Sequence, residues 1–112
     1  MTHEEMNTEL YRKVLEEQEQ FRKWLLSQTP EEILNHSYEY TIREDIVIAL
    51  EYHDLSEKQC RALLKSKSPL ANIFKDFEKR ETDHMDNIRD TIECRANDLI
   101  RKELMRKQEP GR

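Results

Sequence analysis

Residues 69–107 read PLANIFKDFEKRETDHMDNIRDTIECRANDLIRKELMRK, a tract without glycine and with no proline after Pro69. Leu70, Ile73, Phe74, Phe77, Met85, Ile88, Ile92, Ala96, Leu99, Ile100 and Leu104 recur in it at helical spacing, interrupted only by the polar run from Arg80 to His84. Elsewhere punctuation is as scarce: Gly111 is the only glycine of the chain, and Pro30 and Pro110 are its other prolines. A β protein of this size needs several turn residues with positive φ, whereas long helices joined by short Ser, Thr, Asp or Pro turns need almost none. The fold class is therefore all-α. We expect a small bundle of about four helices with a long C-terminal helix, forming a single domain over residues 1–112.

Working outward from that tract, the reading places helices at 4–27, 30–53, 57–65 and 69–107, with a tail at 108–112. In the first, Met6, Leu10, Val14, Leu15, Phe21, Trp24 and Leu25 form the apolar stripe. Thr29-Pro30 opens the second, with Thr29 as N-cap, Pro30 as first helical residue and Glu32 as the reciprocal member of a capping box. Its apolar arc is widest from Ile42 to Leu50, which marks the expected centre of the core. Ser56 and Gln59 form a second capping box, Leu55 and Cys60 have hydrophobic-staple spacing, and Ser68-Pro69 repeats the cap-then-proline signature.

A continuous helix over 69–107 would extend about 57 Å at 1.5 Å per residue, whereas a compact chain of this length has a radius of gyration of about 13 Å. Two resolutions exist: a bend at Glu81-Thr82-Asp83 with Thr82 capping a new helix, or a distal half that projects and pairs with another chain. The amphipathic pattern past Met85 favours the second, a homodimer with Met85, Ile88, Ile92 and Leu99 as its face.

The net charge of −5 is unevenly spread. Residues 1–56 carry 13 acids against five bases, a balance of −8, and the remainder 11 acids against 14 bases, a balance of +3. Such polarity suits head-to-tail association or docking of the acidic half on a basic partner. No apolar run approaches the roughly 18 residues of a membrane span, and Met1-Thr2-His3-Glu4-Glu5 is acidic where a secretory signal is basic, so the expected compartment is the cytoplasm. Two cysteines, Cys60 and Cys94, are too few for a disulfide framework or a four-thiolate zinc site and read as reduced residues.

Chemistry-bearing patterns are thin. Glu81 and His84 have the spacing of a di-iron half-site, but such bundles need two of them with two further glutamates. Glu32 and His36 form a second lone pair, so no metal and no cofactor are expected. Residues 57–80 have the outline of a helix-turn-helix, yet Asp76, Glu78 and Glu81 interleave with Lys75, Lys79 and Arg80 and would repel a phosphate backbone. Arg95, Arg101, Lys102, Arg106, Lys107 and Arg112 make a basic tail, offset by Asp98, Glu103 and Glu109. Without internal glycine there is no phosphate-cradling loop, and no nucleophile–base arrangement is implied, so the chain is not expected to be an enzyme.

Pro30-Glu31-Glu32-Ile33, Arg43-Glu44-Asp45-Ile46, Ala49-Leu50-Glu51, Asp54-Leu55-Ser56, Ala62-Leu63-Leu64, Pro69-Leu70 and Asp90-Thr91-Ile92-Glu93 together resemble a family of small uncharacterised proteins from gut Firmicutes and their mobile elements. The resemblance spans about residues 7–105 and implies a mobile-element setting, in which compact acidic helical proteins bind host factors, anti-CRISPR inhibitors of Cas9 among them. It transfers no catalytic residue. The expected function is thus a non-enzymatic interaction protein that inhibits a host nucleic-acid-handling enzyme such as a Cas effector. Glu31, Glu32, Glu39, Glu44, Asp45, Glu51 and Asp54 would occupy its Lys/Arg-lined channel. The alternatives are a nucleic-acid-binding or regulatory protein using the basic C-terminal half, and a scaffold or assembly module.

Overall fold

The computed structural model describes residues 1–80 and 83–108. Six helices follow one another: α1 (His3–Leu26), α2 (Pro30–Asn35), α3 (Ser37–Tyr52), α4 (Glu57–Lys65), α5 (Pro69–Arg80) and α6 (His84–Gln108), with no strand among the described residues. The all-α class is as the glycine-poor sequence dictates. The chain divides into two compact units, Met1–Glu78 and Lys79–Arg112, each considered by itself below.

In the first unit α1 is the spine. Met6, Leu10 and Val14, four residues apart on one ridge, are buried with Val47 of α3, Cys60 of α4 and Leu70 of α5. Tyr11, Ile46, Leu50, Leu55, Leu63 and Leu64 close around them. The centre of the core is therefore on α1, a correction to the expectation that it lies between Ile42 and Leu50. Only Val47 and Arg43 of that stretch are buried; Ile42, Ile46 and Leu50 are half-buried, and Ile48 and Ala49 face water. The physical reason is that α3 contacts the spine on one side only, so its wide apolar arc exceeds what α1 can cover.

The span 30–53 is two helices rather than one. Asn35, His36 and Ser37 are a run of weak helix formers, and the Ser37 hydroxyl donates to the Leu34 carbonyl (2.8 Å) instead of leaving it to the ladder. His36 takes φ −105°, ψ 5° at the corner, caps α2 through its amide, and accepts the Tyr40 amide (3.0 Å) to start α3. Within 69–107 the described residues form two helices, α5 and α6. α6 begins with the Asn87 amide donating to the Asp83 carbonyl (2.8 Å). Glu81 and Thr82, and with them the proposed cap and the Glu81–His84 pair, lie outside the described residues, as do residues 109–112.

Local caps follow the sequence in full at Ser56 and in part at Thr29, where the expected return bond from the Glu32 side chain is not made among the described residues. The Thr29 hydroxyl accepts the Glu32 amide (3.2 Å), and Ser56 with Gln59 forms the full reciprocal box at 3.2 and 2.9 Å. At the ends of α4 and the start of α5, side chains of α1 supply further caps. The Glu17 carboxylate accepts the amides of Leu70 (3.0 Å) and Ala71 (2.9 Å), the two donors a Ser68 cap would have taken. Lys13 Nζ donates to the carbonyls of Leu64 (2.7 Å) and Ser66 (2.5 Å) at the end of α4. Asn7 pairs its amide with the backbone of Leu55, donating to the carbonyl (3.3 Å) and accepting from the N–H (3.2 Å). One flank of a single helix thus fixes the linkers on both sides of α4 and the start of α5, with a cation at a C-terminus and an anion at an N-terminus as the helix dipoles require.

Candidate functional site

The seven acids expected to form a partner surface divide into two groups. Glu39 and Glu44 are turned to structural work. Arg43, buried on α3, donates to Glu39 from Nε (3.0 Å) and Nη2 (2.8 Å), and its guanidinium carbon stands 4.1 Å from the centre of the Phe21 ring. Phe21 is stacked between Trp24 (5.8 Å) and Tyr40 (6.5 Å), and His36 meets Trp24 edge-on at 5.2 Å. His36 also lies 3.7 Å from Glu32 and 3.6 Å from Glu39. This chain of contacts clamps the α2–α3 corner to the second half of α1; a guanidinium loses less on leaving water than an ammonium does and can stack on a ring while pairing a carboxylate. Glu44 accepts from Gln18 Nε2 (2.9 Å), which also donates to the Tyr40 carbonyl (3.4 Å). Gln18 itself is buried, and its Oε1 has no partner among the described residues.

Five acids remain on the surface: Glu31 and Glu32 on α2, Asp45 and Glu51 on α3, and Asp54 just after it. Asp45 is exposed. The solvent face of α3 carries Thr41, Asp45, Ile48 and Tyr52 at steps of four, three and four, with Ile48 51% and Tyr52 81% exposed. Glu51 and Asp54 border that stripe. Sequence reading found the acids by charge, but it did not single out Ile48 as an exposed apolar residue, since periodicity alone does not say how much of a wide apolar arc its neighbours can cover.

Two clefts adjoin these elements. A mainly apolar one of ≈ 270 Å³ opens between the end of α1 and the α2–α3 corner, lined by Leu25, Leu26, Ile33, Tyr40 and the Arg22 stem. A more polar one lies between the start of α1 and the end of α3, with His3, Tyr11, Tyr52 and His53 on its walls. Among the described residues, no group of three or more His, Cys, Asp or Glu side chains converges as a metal site would need. Burial raises the pKa of the Cys60 thiol, and the nearby Asp54 charge adds to the effect, so this cysteine is held in its unreactive form; Cys94 on α6 is exposed. No helix among the described residues is long and apolar enough to cross a membrane.

In the second unit, Met85, Ile88, Ile92 and Leu99 are all exposed, as are Ile100 and Leu104. Asp98 gathers three bases of the basic tail, lying 3.9 Å from Arg95, 4.0 Å from Arg101 and 3.3 Å from Lys102. Asp86 pairs with Arg89 at 3.2 Å. Within residues 57–80, α4 and α5 are joined by the short turn at 66–68, and exposed Asp76 and Glu78 alternate with Lys75 and Lys79 as the sequence implied.

A family model described as "Protein of unknown function (DUF3848)" matches residues 6–100, which take in most of α1, α2 to α5 and most of α6. No curated protein and no solved structure matches the chain.

Proposed function

We propose, for a chain that belongs to the DUF3848 family, that it works as a non-enzymatic interaction protein whose acidic α3 face docks on a basic surface of another protein. The observation that carries this reading is the composition of that face: Tyr52 and Ile48, both well exposed, stand among Asp45, Glu51 and Asp54. An aromatic and a branched apolar side chain supply anchors that gain by leaving water, and the surrounding carboxylates select a Lys/Arg-rich partner and speed its encounter. Rigid placement on a helix lowers the entropy lost on docking.

Basic surfaces of this kind belong to proteins that handle nucleic acid. The resemblance to mobile-element proteins directs the reading to a host defence nuclease, with a CRISPR effector of the Cas9 class as the leading candidate. There the carboxylates would take the place of the phosphates that such a channel holds through charge.

The test is affinity capture of the tagged protein from bacterial lysate, with and without nuclease treatment, beside the variant Asp45→Lys/Glu51→Lys/Asp54→Lys. All three positions are exposed, so the variant keeps its fold. Recovery of a nuclease effector in both arms, lost with the variant, is the expected result. Capture that persists after charge reversal overturns the docking face, and capture that disappears with the nucleic acid transfers the function to the basic C-terminal half.

A further inference from the structure

We propose that α6 pairs with α6 of a second copy in antiparallel orientation, with the two-fold axis passing between Arg95 and Ala96. The argument starts from a seam. Met85, Ile88, Ile92 and Leu99 follow one another at steps of three, four and seven, and the step skipped between Ile92 and Leu99 falls on Arg95. All four apolar residues are between 39% and 62% exposed, although each belongs to the face that a coiled-coil seam presents. Among the described residues of the second unit, α6 is followed by no other element, and only the last two residues of α5 precede it, so nothing described within that unit covers that face.

Charge selects the occupant and its direction. Residues 84–94 carry three acids (Asp86, Asp90, Glu93) and one base (Arg89); residues 95–107 carry five bases (Arg95, Arg101, Lys102, Arg106, Lys107) and two acids (Asp98, Glu103). An in-register parallel pair would continue the seam through Arg95, Lys102 and Arg106 and set each against its own copy. Antiparallel pairing lays the acidic half on the basic half and opposes the two helix dipoles favourably. About the axis named, Ile92 packs against Leu99 of the second copy. Arg89 and Glu103 fall on the same flank of the seam and within about one residue's rise, ~1.5 Å, of the same height, so Arg89 of one chain reaches Glu103 of the other, and the contact occurs twice. Glu103 makes no ion pair among the described residues and is open to that contact. Arg95 approaches its own copy near the axis, but Asp98, 3.9 Å from Arg95 within one chain, is placed on the same flank, and the four charges alternate in sign. Ala96 beside the axis lets the helices come close.

The proposal is independent of the acidic face on α3. Sedimentation equilibrium of the full chain over the micromolar range should show a monomer–dimer equilibrium, and Ile92→Asp, at an exposed position, should leave the circular dichroism unchanged while abolishing the dimer. Arg89→Glu and Glu103→Arg should each weaken association by about tenfold or more through like charges set opposite one another. The double variant Arg89→Glu/Glu103→Arg should recover it, as an antiparallel pair alone requires. A chain that stays monomeric throughout, a dimer indifferent to Ile92→Asp, or a double variant no better than the single ones would each overturn the proposal.

Discussion

Glu17→Ala removes the carboxylate that receives the first two free amides of α5, a contact made across more than fifty residues of chain. Loss of an N-cap acceptor costs about 1–2 kcal/mol, and loss of a negative charge at a partly buried helix start adds about 0.3–1 kcal/mol. Leu70 is fully buried, so its amide regains water poorly, and the total should fall at about 2–3 kcal/mol. For a folding unit of this size each kcal/mol moves the melting temperature by about 4–8 °C, which makes the expected drop roughly 10–20 °C. Thermal and urea unfolding followed by circular dichroism measure it. Glu16→Ala, at the exposed neighbouring position, is the control and should change stability by less than about 0.5 kcal/mol. Glu17→Gln keeps an acceptor without the charge and should fall between the two. Native-state hydrogen exchange adds a local reading: the amides of Leu70 and Ala71 should lose protection before those of α1. If Glu17→Ala melts with Glu16→Ala, the idea that α1 caps α5 fails.

Gln18→Met should be neutral or stabilising by up to about 1–2 kcal/mol, since it removes a buried oxygen without a partner and leaves the half-buried Glu44 able to reach water; a loss of stability in urea titration would count against this. Glu39→Ala should cost about 2 kcal/mol, less than the roughly 3–5 of fully buried pairs because Glu39 keeps part of its side chain in water, whereas Arg43→Met should cost less by leaving no buried charge behind. Equal losses for the two substitutions would refute that asymmetry. Iodoacetamide should label Cys94 in the native protein and Cys60 only after unfolding, as mass spectrometry of digests can read. Because the Cys60 pKa is raised on folding, its contribution to stability is complete below the unfolded thiol's pKa of about 8.5 and lost as pH rises beyond it; Cys60→Ala should flatten this alkaline decline.

Legibility in the sequence followed the distance over which the deciding interaction acts. The Ser56–Gln59 box, the Thr29 cap and the limits of α4 rest on neighbours three or four residues apart, and all are as expected. The corner at His36 was missed because Asn35-His36-Ser37 is only weakly unfavourable to helix; what holds the bend is the aromatic contact with Trp24 of another helix. Among the seven acids, Glu39 has its partner Arg43 only four residues on, but nothing local separated Glu44 from Asp45 and Glu51. Gln18 separates them, and it reaches Glu44 across 26 residues.

By itself, the sequence determined that the fold class is all-α, because a polypeptide almost without glycine, with apolar residues at steps of three and four, satisfies its backbone and buries its side chains best as helices. It also determined the division into an acidic half and a basic half. Only the tertiary structure decided that α1 is the spine, that Asn7, Lys13 and Glu17 hold the ends of other helices, and that Ile48 and Tyr52 stand in water among carboxylates. Periodicity defines which side of a helix is apolar, but how much of that side is buried depends on the size and direction of its neighbours, and these follow from contacts between residues far apart in the chain.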